Sequence, residues 1–92
     1  MAVCDRIPAG RVASYGMVGA EMGVSGLVAG KWLDRWGEQT CWWRVVGAKG
    51  DLLVARRDAG LAVVQRSMLE GEGVEFDEVG RVRGEFFVEE HL

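Results

Sequence analysis

Between two short runs of helix-compatible residues the chain places Gly23-Val24-Ser25-Gly26, and this turn constrains its fold more than any other feature. Ahead of the turn, Ser14 is a small hydroxyl residue suited to cap a helix, and Met17, Val18, Ala20 and Met22 follow as apolar positions. Gly23 ends that run, since glycine enters the left-handed conformation in which helices commonly terminate. Beyond it, Leu27, Val28, Trp32, Leu33 and Trp36 recur at helical spacing and are expected to form a buried stripe. Two short helices joined by a glycine turn of this length make a helix-turn-helix.

The flanks extend this unit without repeating it. Arg6-Ile7-Pro8-Ala9-Gly10-Arg11-Val12-Ala13 reads as a turn followed by a short extended piece, because Pro8 drives Ile7 out of helical space. Cys41-Trp42-Trp43-Arg44-Val45-Val46 is a short β-branched and aromatic run ending at Gly47. Lys49-Gly50-Asp51 marks a turn, and Leu52-Leu53-Val54 is expected to return as a short strand. Ala59 to Leu69 holds good helix formers with Leu61, Val64, Met68 and Leu69 on one side, stopped by Gly71 and Gly73. Val74 to Phe87 alternates loosely and is expected to pair as a small ribbon. The expectation is one domain over residues 1–92, mainly α with a short β wing: a winged helix-turn-helix.

Composition narrows the function classes. At 92 residues the chain suffices for one small core, and 49% hydrophobic residues with a single proline exclude a disordered segment. No uncharged stretch is longer than nine residues, so no membrane span is expected. The start, Met1-Ala2-Val3-Cys4-Asp5-Arg6, carries no basic-then-apolar leader pattern, and two cysteines give neither a disulfide framework nor a zinc spacing. A cytoplasmic, nucleoid-associated location is expected. One histidine, His91, rules out a multi-histidine metal site, and no metal or other cofactor is expected. The net charge of −3 is unevenly spread. Residues 1–69 carry nine basic and six acidic side chains, a net +3, whereas residues 70–92 carry eight acids against two arginines, a net −6. The field of one face governs nucleic-acid binding, so overall acidity does not exclude DNA.

Three segments, taken in order, carry a resemblance: Ile7-Pro8-Ala9-Gly10-Arg11-Val12-Ala13-Ser14-Tyr15-Gly16, then Trp42-Trp43-Arg44-Val45-Val46, then Glu70-Gly71-Glu72-Gly73-Val74-Glu75-Phe76. They resemble the C-terminal domain of the O6-alkylguanine-DNA alkyltransferases, and more closely the alkyltransferase-like proteins. In the transferases the central motif is Pro-Cys-His-Arg, and its cysteine takes the alkyl group from a flipped base. Here Cys41-Trp42-Trp43-Arg44 stands there, with Trp42 at the nucleophile position. Alkyl transfer needs an activated thiolate, which indole does not offer, so no enzyme activity is expected.

The resemblance implies damage recognition without repair. A minor-groove helix-turn-helix rotates O6-alkylguanine from double-stranded DNA into a pocket and flags it for nucleotide excision repair proteins, with the protein acting as a monomer. Ser14 would cap its helix and offer a backbone amide to a phosphate, and Tyr15 would pack against the target nucleotide. Trp42 would floor the lesion pocket, with Trp43 and Val45 beside it. Arg44 would anchor the motif loop and contribute to DNA binding. Arg56 and Arg57 are equal candidates to lie over the flipped base. The family's arginine finger aligns with Ala29 if no gap is allowed, or with Leu27 if Ala29-Gly30 matches the family's Val-Gly; neither is arginine, and the nearest cation is Lys31.

That departure keeps other functions open. The chain is either a lesion sensor or a diverged member serving as a general DNA-binding or protein-interaction module, with Trp36 as a surface anchor or part of the core stripe. A major-groove regulator fits helix-turn-helix geometry, but residues 25–30 offer almost nothing that reads base edges. An enzyme using Cys41 or Cys4 lacks a neighbouring base.

Overall fold

A computed structural model describes residues 6–36, 41–56 and 58–88, of which residues 32–36 are described by their backbone alone. Strand β1 (Ala13–Ser14) leads directly into helix α1 (Tyr15–Met22), and helix α2 (Gly26–Trp36) follows after three residues. A 3-10 turn (Trp42–Arg44) enters strand β2 (Val45–Val46), and a second 3-10 turn (Leu53–Arg56) precedes helix α3 (Ala59–Gly71). A third spans Gly84–Phe86.

Both expected caps of α1 are present. The Ser14 hydroxyl accepts a hydrogen bond from the Met17 amide at 3.1 Å. Gly23 adopts φ 75°, and its amide closes the last turn onto Ala20 and Gly19. The tightness of the turn depends on Gly19: a Cβ there would stand 2.6 Å from the Val24 carbonyl oxygen. Helix α3 starts on Asp58, whose carboxylate accepts from the Gly60 and Leu61 amides.

The two strands pair in parallel, Ala13 with Val45 and Ser14 with Val46. Successive residues of a strand face opposite sides, and this small sheet divides the interior accordingly. On one side Ile7, Ala13, Val18, Ala29 and Val45 form a fully buried cluster with Tyr15, Met17, Met22 and Trp42 against it. On the other, Val12, Val46, Leu69, Val74 and Val82 are joined by Trp43, Leu52 and three phenylalanines. The helix-turn-helix therefore occupies one side of the sheet, and α3 with the C-terminal segment the other.

Several expectations are corrected. Leu27 is 73% exposed and Val28 38%, while Ala29 is fully buried, so in the first turn of α2 the inward position is a small residue that lets the helices approach closely. The side chains of Trp32, Leu33 and Trp36 lie outside the described residues. Leu52-Leu53-Val54 does not return as a strand. The Val45 carbonyl accepts instead from the Gln65 side-chain amide at 3.0 Å. On α3 the buried line is Gln65 and Leu69, with Val64 and Met68 partly exposed. The wing is slighter than a ribbon: one antiparallel bridge joins Phe76 to Val82, and Phe87 instead bridges Val12 in parallel beside β1.

Candidate nucleic-acid interface

The surface that a helix-turn-helix offers is the start of its second helix, and here that turn presents Leu27 outward with Lys31 one helical turn along the same face. Ser25 caps the turn, its hydroxyl accepting from the Val28 amide at 3.3 Å. Of the two positions proposed for the missing finger, only Leu27 reaches the surface. The Ala29 side chain belongs to the buried core instead.

Tyr15 and Trp42 come together on the same side of the sheet. Both are half-buried and pack against the cluster that contains Ala29 and Val45. A Cβ on Gly30 would lie 3.7 Å from the Tyr15 ring, so the tyrosine seats against the bare backbone of α2. Ser14 is buried and engaged in capping.

The two tryptophans part company. Their rings meet edge to face, with centroids 6.5 Å apart, yet Trp43 packs on the opposite cluster, following the alternation of the strand it precedes. Its indole N–H donates to Glu72 at 3.2 Å. Trp43 is thus placed on the other side of the sheet from Tyr15 and Trp42, and Val45, with no exposed surface, belongs to the core cluster against which Trp42 packs.

Arg44 is turned inward. Its Nε and Nη2 donate to the two carboxylate oxygens of Glu72 at 3.1 and 2.6 Å, and Nη1 donates to the Ile7 carbonyl at 3.0 Å and the Cys41 sulfur at 3.5 Å. The guanidinium also stands 5.3 Å from the centre of the Trp43 ring. Geometry of this kind makes an anchor, holding the motif loop to the turn at residues 7–10, with the Arg44 side chain only 14% exposed in the free protein.

Glu72 is the residue that sequence reasoning missed. It belongs to the acidic segment 70–92, and it accepts from Arg44, from the Trp43 indole and from the Gly10 amide at 3.2 Å. The hydrogen bonds from Arg44 hold its carboxyl below the usual range, helped by the Gly10 and Trp43 donors and opposed by burial. Glu72 reciprocally raises the affinity of Arg44 for its proton. The Glu-Gly-Val spacing was the available signal; its tertiary partners were not. Gln65 was also missed: buried on α3, its amide donates to the carbonyls of Trp43 and Val45 and fixes both ends of the motif loop.

Arg56 ends its 3-10 turn exposed to solvent, while Arg57, its equal in the sequence, lies outside the described residues. Two other cations on this part of the chain are tied locally, Arg6 near Glu21 at 3.7 Å and Arg11 to the Glu85 carbonyl at 2.8 Å. Among the described residues no helix is long and apolar enough to cross a membrane.

A helix-turn-helix carried in front of a Trp-Trp-Arg loop defines a class of DNA-binding domain. Residues 1–74 match the DNA-binding domain of the 6-O-methylguanine DNA methyltransferases, and the chain belongs to that family. It is 33% identical over 85 residues to a DNA base-flipping protein of Vibrio parahaemolyticus serotype O3:K6 (strain AQ3810), covering 88% of this chain and 82% of the relative. Among solved structures it is similar to Schizosaccharomyces pombe Atl1 in complex with damaged DNA containing O6-carboxymethylguanine. There the TM-score is 0.77 at 28% identity, covering 97% of this chain and 89% of that one. A second S. pombe ATL structure, in complex with DNA, gives a TM-score of 0.75 at 26% identity, with the same coverage.

Proposed function

We propose that this protein is a non-enzymatic sensor of O6-alkylguanine in double-stranded DNA. Helices α1 and α2 enter the minor groove, Tyr15 meets the phosphate of the target nucleotide, and the lesion rotates out of the stack to rest beside Trp42. Extrusion costs a few kcal/mol of unstacking, least for a poorly paired base, and an aromatic, apolar site recovers part of it. Arg56 and Arg57 are placed by sequence to lie over the extruded base. The bound lesion is then handed to nucleotide excision repair proteins.

The observation that carries this reading is the placement of Tyr15 and Trp42 against one apolar cluster behind the helix-turn-helix; the family resemblance sets the indole of Trp42 at the position of the transferases' sulfur. Indole holds an alkyl group by contact and cannot displace it from oxygen. The neighbouring Cys41 is one position away and takes a hydrogen bond from Arg44.

A competition gel shift tests the reading, with O6-methylguanine duplex preferred over undamaged duplex. Mass spectrometry after incubation should find no stoichiometric alkyl gain on the protein. Equal affinity for both duplexes would favour the second reading, a general DNA-binding or interaction module, for which the uncharged Leu27 at the start of α2 is the specific observation.

A further inference from the structure

The first turn of α2 is unusual for a DNA-facing helix because its most prominent side chain is apolar. Leu27 is 73% exposed, and Val28 beside it 38%. Gly26, Leu27, Val28, Ala29 and Gly30 carry no polar side-chain atom. The flanking Ser25 is tethered at the cap through the Val28 amide, and Lys31 stands four residues along from Leu27, on the same face. A Cβ on Gly26 would lie 3.0 Å from the Gly16 amide nitrogen, so this turn is pressed against the start of α1, next to Tyr15. A leucine left in water on a small, well-packed domain gains by burial elsewhere. The gap left in a base stack when one nucleotide rotates out is apolar on its faces, and protein side chains such as leucine are known to enter such steps.

Resting on the base-flipping reading above, we infer that Leu27 is an apolar wedge filling the vacated step, and that the protein is therefore indifferent to the base opposite the lesion. A guanidinium in that place would reach the Watson–Crick edge of the orphaned base and prefer one with adjacent acceptors, such as cytosine with O2 and N3. A leucine has neither donor nor acceptor and holds the gap by contact alone. Lys31, on the same face, supplies the phosphate contact that sets the depth of insertion.

The test measures the dissociation constant for O6-methylguanine placed opposite cytosine, thymine, adenine or an abasic site, for the wild type and two variants. Pairing strength differs among these duplexes, so the quantity read is the ratio of variant to wild type on each. Leu27→Ala should weaken lesion binding about tenfold, by the same factor within about twofold on all four, and should leave single-stranded binding unchanged. Leu27→Arg should break that uniformity, tightening binding most opposite cytosine and least opposite the abasic site. Leu27 is solvent-exposed, so neither variant disturbs the core. If the wild type shows no preference for lesion duplex, the base-flipping reading falls and the wedge with it. If the preference is present and Leu27→Ala leaves it intact, the wedge alone is wrong. A ratio for Leu27→Ala that varies more than about threefold with the opposing base would overturn the indifference.

Discussion

Position 29 decides between the two alignments of the missing finger by its burial. Ala29 has no exposed surface and shares a buried cluster with Ile7, Ala13, Val18 and Val45, so Ala29→Arg would force a guanidinium into an apolar cluster without a partner. The expected result is a loss of at least about 3 kcal/mol of stability, seen as a large fall in Tm, with no gain in lesion binding. Glu72 gives a second expectation at this scale. Hydrogen bonds from Arg44, Gly10 and Trp43 lower its affinity for a proton in the folded protein, so the folded state binds fewer protons than the unfolded one as pH falls. The stabilisation is therefore complete above the ordinary carboxylate value of about 4.3 and is lost progressively below it, toward the depressed folded value. Glu72→Gln keeps the shape and removes the charge. It should lower Tm at pH 7, and the difference between variant and wild type should shrink as the pH is taken from 5 toward 3. A difference that stayed constant over that range would mean the carboxylate's charge contributes nothing.

Among the elements, the helix-turn-helix was legible in the sequence and the motif loop was not, for a physical reason. Ser14 and Asp58 accept from amides, and Gly23 donates to carbonyls, within a few residues of themselves, so their roles are written in local spacing. The orientation of Leu27, Val28 and Ala29 is instead set by how closely α2 can approach α1, and periodicity alone selected the larger apolar residues as the inward face. The 3-10 turn at Trp42–Arg44 depends on Gln65 and Glu72, which lie more than twenty residues away and are recognisable only once α3 is in place. Tyr15 and Trp42 could be paired from the family pattern, but that Trp43 turns to the other side follows from strand alternation through Val45 and Val46, which needs the sheet. Gln65→Leu tests the tie between α3 and this loop. Leucine fits the apolar surroundings of α3 but leaves the Trp43 and Val45 carbonyls without their donor, and one unsatisfied buried acceptor costs about 1–3 kcal/mol. Tm should fall accordingly, and the tryptophan emission of the folded variant should shift as Trp42 and Trp43 lose their fixed placement. Unchanged emission with a lowered Tm would show that Gln65 stabilises α3 without holding the loop.

Across the whole molecule, charge is arranged differently from what its division along the chain suggests. The net +3 of residues 1–69 counts Arg44, yet that side chain is only 14% exposed and paired with Glu72, so it contributes little field beyond the surface. Conversely, the acid Glu72 of residues 70–92 is not spread on a separate face, since it reaches across to the turn at residues 7–10. Among the described residues Lys31 is an exposed cation on the helix-turn-helix side, and the proposed function gives it a phosphate to meet. Counterion release makes log K fall with log salt by about 0.9 for each phosphate neutralised on duplex DNA. Lys31→Ala should therefore flatten the salt dependence by about 0.9 while leaving Tm nearly unchanged. Arg44→Ala should do the reverse, lowering Tm and weakening binding at every salt concentration through a loosened loop, with the slope preserved. Measuring binding from 50 to 200 mM salt for both variants separates the two roles. Should Arg44→Ala lose about a full unit of slope while Lys31→Ala loses none, the guanidinium must leave Glu72 for a phosphate on binding, and the anchor seen in the free protein would be a latch that DNA opens.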